Sequence, residues 1–194
     1  MADERWLIVG LGNPGKRYEN TWHNLGRLAL QTLADRHHLS VNKIRFKALT
    51  AEGFICGQPV LLLAPETFMN LSGESVRAAA EYYKIPHEKI IVLYDDIDLD
   101  VGMLRIKGQG GAGTHKGMKS IIYQLSSENF PRIRIGMGPR PVGDMVDIVL
   151  AKIPSSDHKI VQESLDAAAE SCELIIQGEI ATAQERYNHK KELD

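Results

Sequence analysis

The stretch Arg5-Trp-Leu-Ile-Val-Gly-Leu-Gly-Asn-Pro-Gly15 decides how the N-terminal part of this 194-residue chain folds. Its apolar residues predict a buried strand over residues 5–10, followed by glycines at positions 10, 12 and 15. That glycine spacing matches the dinucleotide-binding fingerprint, which has meaning only where the strand leads directly into a helix. Pro14 interrupts the turn, and the next helical pattern begins only near Thr21. We therefore expect the turn to serve another purpose and to bring three polar side chains together: Asn13, Tyr18 and His23.

Strand and helix patterns alternate along the rest of the chain. The predicted strands cover residues 5–10, 44–51, 53–56, 59–64, 89–94, 103–107 and 131–137. The predicted helices cover residues 21–38 with Thr21 as N-cap, Asn70 or Ser72 to about Lys84, 118–126, 156–177 and 179–188. Strand 89–94 is predicted to stop at Asp95-Asp96, and residues 139–156, which contain three prolines, are predicted to be rich in loops. The pattern predicts an α/β fold: one three-layer domain with a mixed, mostly parallel central sheet flanked by helices.

Composition indicates a soluble globular protein. Apolar residues make up 43% of the chain and charged residues 25%, which is ordinary for such proteins. No apolar run approaches the roughly 18 residues of a membrane-spanning helix, and the N-terminus does not resemble a signal peptide. The two cysteines, Cys56 and Cys172, suit neither a disulfide scaffold nor a metal motif. We expect a cytoplasmic protein without a membrane partner.

The charge distribution is uneven, although the net charge is only −2. Residues 101–140 carry seven Lys and Arg side chains against one Glu, and four aspartates stand just before them at positions 95, 96, 98 and 100. A basic, glycine-rich segment beside an acidic strand end could hold a polyanion against a catalytic site. The same segment could also be an ordinary solvated face.

His23 and Asp95 are the candidate catalytic pair. A histidine near a helix N-terminus tends to stay neutral and can act as a base, provided that a partner fixes its other nitrogen. Asp95, at the end of the predicted central strand, is the leading candidate for that partner. Since no Ser or Cys nucleophile is evident, the pair favours base-activated water over a covalent intermediate. A histidine in this position could equally have a structural role.

Other side chains have both a functional and a structural interpretation. Asn13 and Asn70 could bind an ester or amide, or could serve as turn and cap residues. Phe68 and Met69 could line a site or pack in the core. His115 lies in the glycine-rich loop 108–117, which could bind phosphate or simply connect two elements. The aspartate cluster lacks the spacing of a known metal-binding loop, so we predict no metal.

The same residues, taken in order, resemble the bacterial peptidyl-tRNA hydrolase family. The resemblance rests on the following motifs and spans essentially the whole chain: Val9-Gly-Leu-Gly-Asn-Pro-Gly15, Thr21-Trp-His-Asn-Leu-Gly26, Pro65-Glu-Thr-Phe-Met-Asn-Leu-Ser-Gly73, Tyr94-Asp-Asp-Ile-Asp-Leu99, loop 108–117 and Arg132-Ile-Arg-Ile-Gly136. It implies an enzyme that cleaves the ester between a peptide and the 3′ end of tRNA. It also implies a monomer that needs no cofactor and has peptidyl-tRNA as its partner, and it implies that residues 139–156 form a mobile lid over the site.

The resemblance assigns roles to particular residues. His23 corresponds to the catalytic base and Asp95 to the residue that stabilises its basic form. Asn13 corresponds to the position that distinguishes blocked from free aminoacyl groups. The remaining substrate and tRNA contacts implied by the resemblance are Tyr18, Phe68, Met69, Asn70, His115 and Lys116, together with Lys107 and Arg134 as a clamp for a tRNA phosphate.

The chain departs from the family pattern at Lys116, where the family usually has Asn. The usual Asn touches substrate and helps to order water, so Lys116 could add a phosphate contact or weaken binding on the peptide side. Activity that is reduced or altered, rather than lost, is the expected result.

Two other functions remain open from the sequence. One is an RNA-binding protein of the same fold without turnover, and the other is a nicotinamide-dependent oxidoreductase built on the glycines of the first turn.

Overall fold

A seven-stranded sheet forms the centre of the fold. The structure is a computed structural model, which describes residues 4–138 and 142–188. The strands are β1 (Trp6–Gly10), β2 (Lys43–Arg45), β3 (Ala48–Ile55), β4 (Gln58–Pro65), β5 (Ile90–Asp100), β6 (Leu104–Lys107) and β7 (Arg132–Gly138), in the order β2-β3-β4-β1-β5-β7-β6. Strands β4, β1, β5 and β7 pair in parallel, whereas β2–β3, β3–β4 and β6–β7 pair antiparallel.

Helices cover both faces of the sheet. They are α1 (Leu25–Arg36), α2 (Ser72–Tyr83), α3 (Lys116–Leu125), α4 (Met145–Val149), α5 (His158–Ile176) and α6 (Ile180–Tyr187). One apolar core lies between the sheet and α1, α5 and α6, and a second lies between the sheet and α2 and α3. The predicted three-layer α/β fold with a mixed, mostly parallel sheet is confirmed. Among the described residues, no helix combines the length and apolar character needed to cross a bilayer.

The glycines of the first turn allow α1 to lie close against the sheet. A Cβ atom on Gly26 would come within 2.1 Å of the Leu93 carbonyl oxygen, and one on Gly10 within 2.6 Å of the Gly26 carbonyl oxygen. A Cβ atom on Gly12 would meet the side chain of Asn24 at 2.9 Å. Protein atoms therefore occupy the space beside Gly10 and Gly12, and Gly15 has a positive φ of 101°, so the spacing of the three glycines is explained without a bound pyrophosphate.

Strand β5 does not stop at Asp95-Asp96, so that part of the sequence prediction was wrong. β1 pairs with β5 only as far as Leu93, whereas β7 pairs with β5 through Asp96 and again at Asp100, after a bulge. Beyond Leu93, the edge of β5 that β1 no longer covers is free for side chains from other elements. Acidic residues continue the strand because each buried carboxylate has specific partners, which are described below.

The first helix begins later than predicted. Residues Trp22–Asn24 form a 3-10 turn, and the regular α1 starts only at Leu25. The Thr21 hydroxyl donates a hydrogen bond to the Tyr18 carbonyl and does not cap a helix. His23 therefore lies in the 3-10 turn immediately before α1.

The segment predicted as one strand over 44–51 contains a tight turn. Phe46 and Lys47 both have positive φ angles, of 56° and 55°, which reverses the chain between β2 and β3. Neither residue type favours that conformation, so the usual Asn or Gly signal for a hairpin is missing.

Candidate active site

A cavity of about 670 Å³ lies beyond the carboxyl ends of the parallel strands. In α/β sheets this is where ligands bind, because loops from several strands converge there. The cavity is lined by ten of the eleven residues that the sequence analysis singled out: Asn13, His23, Phe68, Met69, Asn70, Asp95, Lys107, His115, Lys116 and Arg134.

Two histidines share the carboxylate of Asp95 in the floor of this cavity. His23 Nδ1 lies 2.9 Å from Asp95 Oδ2, and His115 Nε2 lies 2.9 Å from Asp95 Oδ1. Asp95 is only 3% exposed and His23 9%. The predicted contact between His23 and Asp95 is therefore present, and the sequence analysis did not anticipate that His115 would join it.

The hydrogen bonds define the tautomers of both rings. His115 Nδ1 accepts from the backbone N–H groups of Gly117 and Met118, so its proton lies on Nε2 and is donated to Asp95. His23 donates to the same carboxylate from Nδ1, which leaves the lone pair of Nε2 for a proton acceptor role. This is the arrangement that a general base requires.

Asp95 remains ionised in this environment. Burial by itself would raise its pKa, but electrostatic attraction to the rings of His115 and His23, and the hydrogen bonds that they donate, hold the pKa of the carboxyl far below its usual value. The three side chains also form a geometric cluster of metal-ligand types. However, His115 Nε2 carries a proton and has no lone pair for a cation, so the cluster is better described as two histidines that are hydrogen-bonded to one carboxylate.

Asn13 is held in place by a second asparagine. The side chain of Asn24 accepts from the Asn13 backbone N–H at 2.9 Å and donates to the Asn13 carbonyl at 3.0 Å. The Asn13 side-chain oxygen accepts from the Met69 backbone N–H at 3.0 Å. The oxygen is thus occupied within the protein, and the Asn13 NH₂ group is the part of the amide left to act on a ligand.

The loop after β4 supplies one wall of the cavity. Phe68 is 66% exposed, whereas Met69 is only 4% exposed and packs against Gly117, where an added Cβ would come within 2.6 Å of the Met69 sulfur. Asn70 lies in the 3-10 turn that precedes α2 and lines the cavity. The sequence left open whether Phe68 and Met69 pack in the core or line a site. Met69 does both, and the exposed Phe68 is free to contact a ligand.

Basic residues also line the cavity. Lys107, at the end of β6, and Arg134, in β7, lie on strands that pair with each other, and Lys116 occupies the first turn of α3. Tyr18 does not line this cavity: it lies in the 3-10 turn Lys16–Tyr18, and the guanidinium of Arg17 stacks on its ring. Its predicted substrate contact stays a prediction without support from the geometry.

The comparisons with known proteins agree with this site. The sequence profile of the peptidyl-tRNA hydrolase family matches residues 7–194. The chain belongs to this family of hydrolase enzymes. The peptidyl-tRNA hydrolase of Alkaliphilus oremlandii is 49% identical over 94% of this chain and 98% of its own length. That of Clostridium botulinum (strain Alaska E43) is 48% identical over 94% of this chain and 95% of its own length.

A solved structure supports the same assignment. The crystal structure of peptidyl-tRNA hydrolase from Acinetobacter baumannii superposes with a TM-score of 0.91 at 35% identity, and the match covers 98% of each chain. The family and enzyme class expected from the sequence motifs are therefore confirmed. The roles of individual residues stay predictions.

The predicted lid region contains a short helix that faces the hydrolase cavity. Residues 139–141 of the predicted segment 139–156 lie outside the described residues, but α4 contributes Met145, Val146 and Val149 to the cavity wall. The end of the segment is attached beside His23: the Trp22 backbone N–H donates to the Ala151 carbonyl, and the Ile153 N–H donates to the Asn20 carbonyl. The turn that carries His23 and this apolar wall are thus physically connected.

Two further residues that shape the site escaped the sequence analysis. Asn24 could have been suspected, because it lies beside His23 in a segment that also resembles the family. Arg132 is 1% exposed and donates to the carbonyls of Phe130, Gly111 and Glu128, which fixes the glycine-rich loop on the sheet. Nothing in the sequence distinguishes this buried arginine from Arg105 and Arg134, which are only partly buried.

Proposed function

We propose that the chain hydrolyses the ester bond between a peptide, or an N-blocked aminoacyl group, and tRNA, by means of a water molecule activated by His23. The observation that carries the proposal is the shared carboxylate: Asp95 fixes His23 with Nε2 available as a base in the cavity. The tRNA that is released returns to translation, and we expect this recycling to serve ribosome rescue. The enzyme acts as a monomer in the cytoplasm and needs no metal or cofactor.

The catalytic steps follow from the positions of these groups. His23 Nε2 takes a proton from water as the oxygen of that water attacks the ester carbonyl. Asp95 stabilises the imidazolium that forms. When the tetrahedral intermediate collapses, the bond to the ribose oxygen breaks and the imidazolium gives its proton to that oxygen. The products are a peptide with a free carboxylate and a tRNA with a free 3′ hydroxyl.

The orientation of Asn13 supports a preference for N-blocked substrates. Its NH₂ group can donate a hydrogen bond to a carbonyl of the substrate, such as the acyl carbonyl of a blocked amino group. A free α-ammonium group offers only donors and cannot accept that bond. Because the Asn13 oxygen is bound to the Met69 N–H, the amide cannot rotate to favour the ammonium without losing that bond.

The cationic side of the cavity supports a phosphate-bearing substrate. Lys107 and Arg134 lie on adjacent strands and line the cavity, and Lys116 adds a third positive charge at the start of α3. A phosphate close to these groups gains from charge-assisted hydrogen bonds. The acyl end of the substrate then lies toward Asn13 and His23.

Hydrolysis of N-acetyl-aminoacyl-tRNA tests the proposal directly. The wild-type protein is expected to release free tRNA at the same rate with and without EDTA, and His23→Ala is expected to lose on the order of 10³-fold in kcat. His87→Ala is the matched control, because His87 lies in a 3-10 turn before β5 and away from the cavity. Near-normal turnover by His23→Ala would rule out the mechanism, and loss of activity with EDTA would show that a metal takes part.

A further inference from the structure

Strands β6 and β7 place like charges opposite each other. Arg105 pairs with Arg134 in the strand register, and Lys107 pairs with Arg132. Like charges in directly opposite positions destabilise a sheet. This arrangement is expected where an anion compensates the charge, and part of the compensation comes from the protein itself.

Asp96 supplies a carboxylate to this group of cations. Its Oδ2 lies 2.6 Å from Nη2 of Arg134, and its Oδ1 accepts a hydrogen bond from the Asp98 backbone N–H at 2.8 Å. Asp96 is 8% exposed, whereas the side chain of Arg134 is 27% exposed. The buried acid therefore holds one nitrogen of a guanidinium that still reaches the cavity.

We propose that Asp96 is a positioning residue for Arg134: it fixes one side of the guanidinium so that the other side binds a phosphate of the tRNA. This inference rests on the proposed function and adds a residue to which the sequence analysis gave no role in binding. An arginine has five N–H donors in a planar fork, so one guanidinium can bind a carboxylate and a phosphate together.

Asp96 acts as an anchor rather than as a competitor of the phosphate. If Arg134 left Asp96 to bind phosphate, a buried carboxylate would lose its cationic partner, which is strongly unfavourable. The ion pair therefore persists when the phosphate binds. A guanidinium that is already ordered loses less conformational entropy on binding than a free one.

Two matched substitutions separate anchoring from simple electrostatics. Asp96→Asn and Asp98→Asn each remove one negative charge from the same cavity, and Asp98 is exposed. In Asp96→Asn the amide oxygen can still accept from the Asp98 N–H, but the negative charge that pairs with Arg134 is gone, so Arg134 is released. We expect Asp96→Asn to raise KM for N-acetyl-aminoacyl-tRNA about fivefold with kcat within about twofold. Asp98→Asn is expected to leave KM unchanged or to lower it. A fall in KM for Asp96→Asn, or a change in kcat alone, would overturn the proposal.

A double-mutant cycle then tests the coupling to Arg134. In an Arg134→Ala background, Asp96→Asn is expected to cause no further rise in KM, because the group that it positions is gone. Additive effects of the two substitutions would contradict the proposal.

Arg134→Lys provides a test that does not alter the buried acid. The lysine keeps the charge, but its compact ammonium lacks the planar fork that lets a guanidinium bind Asp96 on one side and a phosphate on the other. KM is therefore expected to rise about as much as in Arg134→Ala. A wild-type KM for Arg134→Lys would overturn the proposal. Failure of the wild-type protein to hydrolyse the substrate would count against the proposed function. Normal hydrolysis by the wild type, with additive effects of Asp96→Asn and Arg134→Ala on KM, would count against the role of Asp96 alone.

Discussion

His115 connects the N-terminus of α3 to the carboxylate of Asp95. Its Nδ1 accepts from two backbone N–H groups of the first helical turn, and its Nε2 donates to Asp95 at 2.9 Å. One side chain thus performs a capping role and a positioning role at once. Because the cap fixes the tautomer, the glycine-rich loop helps to determine how the carboxylate of the candidate catalytic pair is held.

Substituting His115 with Asn separates these two roles. Asn is among the best N-cap residues but is too short to reach Asp95, so α3 keeps its cap while the carboxylate loses one partner. We expect kcat to fall about tenfold, since one hydrogen bond to a charged group contributes roughly 1.5 kcal/mol or more. His115→Ala loses the cap as well, and its free energy of unfolding is expected to be about 1 kcal/mol lower than that of His115→Asn. Turnover assays and chemical denaturation measure the two effects, and equal kcat values for wild type and His115→Asn would exclude the positioning role.

Asp95→Asn is expected to change both the rate and its pH dependence. The carboxylate stabilises the imidazolium that forms when His23 accepts a proton, so its removal weakens His23 as a base. We expect kcat to fall on the order of 10³-fold and the acidic limb of the kcat profile to move to lower pH. The measurement is kcat against pH for both proteins, and an unmoved acidic limb would contradict the predicted partnership.

The pH range in which Asp95 can stabilise the site follows from the direction of its pKa shift. Its pKa in the folded protein lies far below the unfolded value of about 3.9, so its stabilising contribution is complete above that value. The contribution is lost only as the pH falls toward the folded pKa. Any loss of wild-type activity between about pH 5 and 8 must therefore come from another group, and histidine is the side chain that ordinarily titrates there.

The sequence predicted the sheet, its layers and most of the cavity, because these depend on local patterns. Hydrophobic runs define β1 and the first half of β5, and glycine spacing marks the close contact between β1 and α1. The features that it did not predict depend on long-range pairing. Asp96 extends β5 since Arg134, 38 positions later, compensates its charge, and no local signal announces such a partner.

The segment predicted as a lid and the first turn show the same limit. Thr21 has the residue type and the extended backbone of an N-cap, but its segment pairs with Lys152 in an isolated bridge and its hydroxyl donates to the Tyr18 carbonyl instead of capping the turn. That contact joins two parts of the chain more than 100 residues apart. Local propensity favoured a cap, and the tertiary contact determined the outcome.

Asn24→Ala is expected to destabilise the protein and to impair binding together. The substitution removes the partners of the Asn13 backbone N–H and carbonyl, both in a buried turn. Leaving such groups unsatisfied costs about 1–3 kcal/mol each, so we expect a loss of at least about 1 kcal/mol in the free energy of unfolding. KM for N-acetyl-aminoacyl-tRNA is expected to rise because Asn13 loses its fixed orientation. Asn24→Asp is the control: it keeps an acceptor for the Asn13 N–H and is expected to lie between wild type and Asn24→Ala in denaturant titrations, whereas wild-type behaviour of Asn24→Ala would exclude this role.

Lys116→Asn tests what the departure from the family pattern contributes. A lysine in the first turn of α3 faces the positive end of the helix dipole, so its replacement is expected to raise the free energy of unfolding by about 0.3–1 kcal/mol or to leave it unchanged.

If the ammonium of Lys116 contacts phosphate, Lys116→Asn raises KM at low salt, and the slope of log KM against log salt falls by about 0.7–0.9. Lys119→Asn is the matched control, because Lys119 is also exposed near the start of α3 but does not line the cavity, and its salt slope is expected to match wild type. The activity is expected to persist in Lys116→Asn, since His23 and Asp95 are unchanged. A hundredfold loss of kcat would instead mean that the ammonium takes part in the chemical step, and an unchanged salt slope would mean that it faces the peptide rather than the tRNA.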